Sequence, residues 1–137
     1  MPLLVLDEQL ERPQLITALT DRGVDVTTVG DLGATGRPDP DVVRRVEAQH
    51  SGPWVLVTMD LTIIEDFPGF EWGRYAIAWV QVRKEVRGAA AERAKAEIIH
   101  RHAHTIRQQG RGDHHTYTRE RHYKHPPSLT SQLERRA

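Results

Sequence analysis

Short apolar runs alternate with amphipathic segments along the first half of this chain, and the alternation predicts a βαβ arrangement. Leu3-Leu4-Val5-Leu6 is an unbroken apolar run of strand length, stopped by Asp7-Glu8. Leu15, Ile16 and Leu19 then recur at helical spacing between about Pro13 and Arg22, where Gly23 supplies the stop. The β-branched stretch Val24 to Val29 predicts a second strand, and Gly30 to Pro40 is a loop of Gly, Pro and Asp. A helix follows from about Asp39 to His50, with Val42, Val43 and Val46 on one face and acids in its first turn, where they favour the helix dipole. Ser51-Gly52-Pro53 breaks it, and Trp54 to Thr58 is the third strand. Strands separated by helices at this spacing imply an α/β fold with a mainly parallel sheet.

The second half is less regular. Ile63 to Phe70 reads as a loop or short turn, and Arg74 to Val82, dense in β-formers, as a fourth strand. Gly88 precedes a long helix from Ala89 to about Gln109, rich in Ala, Glu, Lys and Arg. From Gly110 onward the chain is polar and an irregular segment is expected, with Pro126-Pro127 arguing against regular structure. Leu129 and Leu133 would seed one short terminal helix.

Two of the predicted strands end in acid. Asp7-Glu8 closes the first, Asp60 closes the third, and Asp39 and Asp41 open the helix between them. In open α/β sheets the carboxyl edge is where ligands bind. Several carboxylates converging there cannot all remain ionised without a cation, which points to a divalent-metal site. Mg²⁺ or Mn²⁺ suits oxygen ligands and needs few of them. Asp7, Asp39 and Asp60 are the candidate ligands, Glu8 and Asp41 candidates for an outer role or general base, and Thr58 a candidate for orienting a carboxylate. Taken alone, Asp39 and Asp41 would equally be ordinary N-terminal helix acids.

The chain has 137 residues, enough for one core, and no Cys, which excludes disulfides, thiolate zinc sites and a Cys nucleophile. No apolar stretch is long enough to span a membrane and no signal-like N-terminus is present, so a cytoplasmic protein is expected. A net charge of zero conceals polarity. Residues 1–82 carry 6 Lys+Arg against 13 Asp+Glu, and residues 83–137 carry 13 against 6. An acidic front and basic back suit a metal centre beside a phosphate-binding surface, or two halves that attract each other. Basic and aromatic residues mingle late in the chain, with Tyr117, Arg119, Arg121, Tyr123 and Lys124 together and Arg101 and Arg107 on the long helix. That mixture suits single-stranded nucleic acid, or equally a strand packed back on the sheet. His100 and His104 share a helix face at metal-ligand spacing, but with no Cys or carboxylate beside them a solvated or RNA-facing pair is expected. The three Trp suit a core or a homodimer surface equally.

The blocks Leu6-Asp7-Glu8-Gln9-Leu10, Leu19 to Val29, Asp31-Leu32-Gly33, Gly36-Arg37-Pro38-Asp39 and Val55-Leu56-Val57-Thr58-Met59-Asp60 follow one another in order. Together they resemble the PIN-like nucleases, in particular the small toxin ribonucleases of toxin–antitoxin pairs, over roughly residues 1–64. The resemblance implies a three-layer α/β/α sandwich, with a PIN-like domain over 1–109 and a basic His/Arg-rich extension over 110–137. It implies metal-dependent hydrolysis of RNA phosphodiester bonds, a cognate antitoxin protein as partner, and no membrane. Asp7, Asp39 and Asp60 match the family's acids. A further acid is common a few residues after the last of these, where this chain has Leu61-Thr62-Ile63. Either Glu65 or Asp66 substitutes, or three acids hold metal weakly, or the fold no longer cuts and serves to bind RNA or a partner. A phospho-accepting receiver is a further alternative, and it would need Thr or Ser after one later strand and Lys after another.

Overall fold

The computed structural model describes residues 2–125. Its elements are β1 (Leu3–Leu6), α1 (Pro13–Asp21), β2 (Val26–Thr28), α2 (Asp39–Gln49), β3 (Trp54–Thr58), α3 (Ile63–Asp66), β4 (Ile77–Val80), α4 (Gly88–Arg107), β5 (His114–Tyr117) and β6 (His122–Lys124), with single 3-10 turns at Glu8–Leu10 and Trp72–Arg74. All six strands join one sheet in the order β2-β1-β3-β4-β5-β6. The first five are parallel, and only β6 runs against its neighbour.

Alternate residues of each strand feed opposite faces of the sheet, as the pleat requires. Leu4, Leu6, Val55, Val57, Ala78 and Val80 pack beneath α1 and α4, which contribute Leu15 and Leu19 and then Ile98, Ile99 and Ile106. Val5, Leu56, Ile77 and Trp79 face the other way, against Val42, Val43 and Val46 of α2 and Ile63 and Ile64 of α3. Helices therefore cover both faces, and each fully buried Leu, Ile or Val stabilises the fold by about 1.5–3 kcal/mol relative to exposure. No helix among the described residues is long and apolar enough to cross a membrane.

The polar segment after Gly110 is a correction to the sequence reading. It is not irregular: β5 pairs with β4 along its whole length and turns into β6. His114–Tyr117 and His122–Lys124, expected in a basic extension over 110–137, are thus strands of the same sheet as the rest. β5 is polar yet buried because its side chains find hydrogen-bond partners around it. Tyr117 donates to Gln109 Oε1 at 2.6 Å, Gln109 Nε2 donates to Ile77 O at 2.9 Å, and His114 Nε2 lies 3.0 Å from Trp72 O. The expected Pro126-Pro127 break and the terminal helix at Leu129 and Leu133 fall outside the described residues.

Candidate acidic active site

The strand order reverses direction between β1 and β3, so this is the sheet's topological switch point, and in open α/β sheets ligands bind outside the carboxyl ends of the strands at such a point. The parallel register sets Leu6 beside Val57, and Asp7 N continues the ladder to Val57 O at 3.0 Å. Asp7 therefore emerges next to Thr58. The Thr58 hydroxyl donates to Asp7 Oδ2 at 2.8 Å and accepts from Asp60 N at 3.0 Å, so one buried hydroxyl ties the two acid-bearing strand ends together. Asp7 Oδ1 accepts from Glu8 N at 2.9 Å. Trp79 on β4 donates from Nε1 to Asp60 O at 2.7 Å, which fixes the turn after β3.

Asp39 arrives by a different route. The loop between β2 and α2 turns at Gly33 and Gly36, whose φ of 71° and 75° lie in the left-handed region that glycine tolerates. Two carboxylates from the turn after β1 hold this loop: Glu8 accepts from Gly36 N, and Glu11 Oε1 accepts from Gly30 N at 2.9 Å. Asp39 then opens α2 facing the other acids. Its carboxyl is pushed up to about 7, by burial first and then by the charges of Asp7, Asp60, Asp66 and Glu8. Asp7 is also raised, chiefly because it is only 8% exposed, and the hydrogen bonds from Thr58 and Glu8 oppose that rise.

Thr58 thus ties Asp7 to the backbone of Asp60, and the charges of both acids are felt at Asp39. Asp66 joins them from the end of α3. Thr62 Oγ1 lies 2.9 Å from both Asp60 Oδ1 and Asp66 Oδ2, and a single hydroxyl hydrogen serves only one of them at a time. Of the two substitutes considered for the missing acid, Asp66 reaches the cluster. Thr62 is the residue the sequence reading overlooked, although a Thr four residues before an Asp at the start of a helix is a visible spacing. Glu8 is spent mainly on holding the loop, and Asp41 pairs with Arg44 at 3.0 Å on the outside of α2. Among the described residues, no ion pair involves Asp7, Asp39, Asp60 or Asp66.

The candidate RNA contacts are dispersed. Tyr117 is a correction: it is fully buried in the core under α4 and has no face for a base. Arg119 and Arg121 lie in the exposed turn between β5 and β6, on the same carboxyl edge as the acids. Tyr123 is 47% exposed just beyond it, and Lys124 is exposed further along β6. Arg101 and Arg107 lie down α4, about 20 and 28 Å from its start at 1.5 Å per residue, and Arg107 also bonds to Ala103 O at 3.3 Å. His100 and His104 are both exposed. A receiver's pair is incomplete, since Thr118 follows β5 but Gln81, not Lys, follows β4.

No group of three or more His, Cys, Asp or Glu among the described residues is already gathered tightly enough to hold a metal ion. The donors nevertheless suit Mg²⁺ or Mn²⁺, which take carboxylate oxygens, need only one or two of them directly and keep several waters. Comparison with protein-family models, with curated proteins and with solved structures found no match for this chain.

Proposed function

We propose that the chain is a PIN-like, metal-dependent endoribonuclease acting through the acidic pocket between β1 and β3, in keeping with a toxin of a toxin–antitoxin pair. The observation that carries this reading is the pair of hydroxyls, Thr58 and Thr62, that hold Asp7, Asp60 and Asp66 together beside Asp39, whose carboxyl burial and those acids push up to about 7. A fold that keeps so much like charge together at neutral pH loses stability by it, and a divalent cation is the simplest compensation. Asp7, Asp39 and Asp60 would hold Mg²⁺ or Mn²⁺, with Asp66 through water. When bound, such an ion lowers the pKa of a water and polarises a phosphoryl oxygen.

The chain's own residues supply orientation and proton control. Thr58 fixes the Asp7 carboxylate, Trp79 and Thr62 fix Asp60, and Glu8 sets the loop that carries Asp39. Asp66 in place of the usual later acid favours a working pocket over a degenerate binding module. Purified protein in Mn²⁺ should cleave single-stranded RNA, and EDTA should stop it. Cleavage that survives both EDTA and Asp60→Asn would remove the proposal. The antitoxin is expected to be a small protein encoded beside this one, and co-purification from a two-gene expression tests that part separately.

A further inference from the structure

The carboxyl edge that carries the acids continues into a groove of about 660 Å³ beyond the ends of β4 and β5. Five cations line it, from three separate places: Arg83 and Lys84 after β4, Arg93 on α4, and Arg119 and Arg121 in the turn after β5. All five are exposed, and among the described residues none is in an ion pair. Val86, Ala90 and Ala94 give the groove a low apolar floor, and Glu97 and Glu120 are its two acids. Neighbouring strands are about 4.8 Å apart, so the ends of β4 and β5 lie roughly 5 and 10 Å from the end of β3.

We propose that this groove holds the backbone of a single-stranded RNA and leads it to the acidic pocket; the inference rests on the nuclease reading and gives it a substrate path. Spaced cations drawn from several elements suit a flexible chain of phosphates better than one compact anion. Two further observations favour nucleic acid over an acidic peptide. Leu61, directly after Asp60, is 54% exposed, and Tyr123 is 47% exposed with its hydroxyl bonded to the Arg121 side chain. These are the exposed large hydrophobic residues of the described chain: Leu61 follows β3 at this edge of the sheet, and Tyr123 lies in β6, two residues past Arg121 of the groove. Bases need such apolar surfaces, whereas a run of carboxylates does not. Arg83, Lys84 and Arg93 were not among the residues singled out from the sequence, because nothing along the chain shows that they meet Arg119 and Arg121.

The test is fluorescence anisotropy of the full chain with a fluorescein-labelled 12-nucleotide oligouridylate in EDTA, across a salt series. Arg83→Gln/Arg93→Gln/Arg119→Gln should weaken binding by about tenfold or more at 0.15 M salt. It should also lower the slope of log affinity against log salt by about 2, at roughly 0.7 per lost phosphate contact on a single strand. Arg22→Gln/Arg74→Gln/Arg111→Gln makes the same change of net charge elsewhere and should stay within about twofold of the parent. Arg119→Gln alone, in an exposed turn, gives about one third of the slope change if the triple variant folds poorly. Equal losses in both triple variants, no loss in the groove variant, or displacement of the RNA by polyglutamate at matched charge would each overturn the proposal. Failure of the nuclease reading looks different: groove-dependent binding with no cleavage in Mn²⁺. Cleavage by the groove variant at an unchanged KM sinks the groove alone.

Discussion

Burial suppresses ionisation in two regions of this molecule, with opposite consequences. In the acidic pocket, Asp39 is pushed up to about 7, so at neutral pH its charge is resisted by the fold. In the strand pair β5 and β6, His115 is pushed down to about 4, by burial and by the neighbouring His122, so at neutral pH it is comfortably uncharged. The hairpin is at rest at neutral pH, and its polar groups pair with one another apart from the buried His115 Nε2: His115 Nδ1 lies 2.8 Å from His122 Nε2, and Thr116 Oγ1 lies 2.8 Å from His125 Nε2. The pocket is under stress at the same pH, and its carboxylates have no cationic side chain among the described residues to relieve them. Suppressed ionisation alone does not mark a functional site. Suppression that remains uncompensated at neutral pH marks a candidate for one, because stability alone would favour replacing the group.

The comparison breaks most directly if the pocket's charges prove dispensable. Asp7→Asn and Asp60→Asn should each lower RNA cleavage in Mn²⁺ by more than about 100-fold, beyond the 10–100-fold typical of residues that only support a ligand. Initial rates on a labelled single strand measure this. The same ion should relieve the stress thermodynamically. Mn²⁺ at about 100 times its dissociation constant should stabilise the parent by about 2.7 kcal/mol, and Asp60→Asn should lose most of that gain. Thermal melts with and without Mn²⁺ separate the two, and equal gains in parent and variant would mean that the ion binds elsewhere.

The hairpin should respond to loss of packing rather than to metal. Tyr117→Phe leaves Gln109 Oε1 without its 2.6 Å partner in the core and should cost about 1–3 kcal/mol in urea unfolding, with no change in Mn²⁺ affinity. Tyr117 also shows where sequence and structure part company. The order β1-α1-β2-α2-β3, and with it the places of Asp7, Asp39 and Asp60 at element ends, were readable because apolar runs marked the strands and Gly, Pro and Asp marked their ends. β5 carries the polar run His114-His115-Thr116-Tyr117, so no hydrophobic period announces it. What buries it is a set of mutual hydrogen bonds that exists only once α4, β4 and β6 are assembled. The choice between Glu65 and Asp66 was not legible for a related reason, since the place of Asp66 depends on Thr62 and the single turn of α3.

Asp39→Asn sharpens the contrast through pH. A carboxyl raised from 3.8 to about 7 makes the folded state bind more protons than the unfolded state across that interval. Its contribution to stability is therefore present at low pH and lost as pH rises towards 7. Asparagine removes the charge, so without metal the variant should be more stable than the parent at pH 7.5 by about 1–2 kcal/mol, allowing for partial exposure, and the two should converge near pH 4. Urea titrations at both pH values in EDTA give the difference. A variant less stable than the parent at pH 7.5 would mean that Asp39 is serving the start of α2 and is not strained by the acids.

His115→Phe should show the opposite slope with a smaller amplitude. A histidine lowered from 6.5 to about 4 leaves the unfolded state binding more protons between those values, so the parent loses stability as pH falls through that window. The groups facing it are His122 and Lys124 from β6, His125 beyond β6, Tyr117 on its own strand and Asp113 before it. Asp113 favours the charged ring, while burial and the cationic neighbours oppose it. Phenylalanine keeps the stack against Tyr117 and His122 and removes His115 Nε2, which is buried and has no hydrogen-bond partner. At pH 7 the gain from removing that atom offsets the bond lost to His122, and the variant should match the parent within about 0.5 kcal/mol. At pH 4.5 it should be the more stable of the two by about 1 kcal/mol, read from urea midpoints. If the two proteins instead lose stability in parallel below pH 6.5, the proton sensitivity of this half belongs to other histidines, and the hairpin is no counterpart to the acidic pocket.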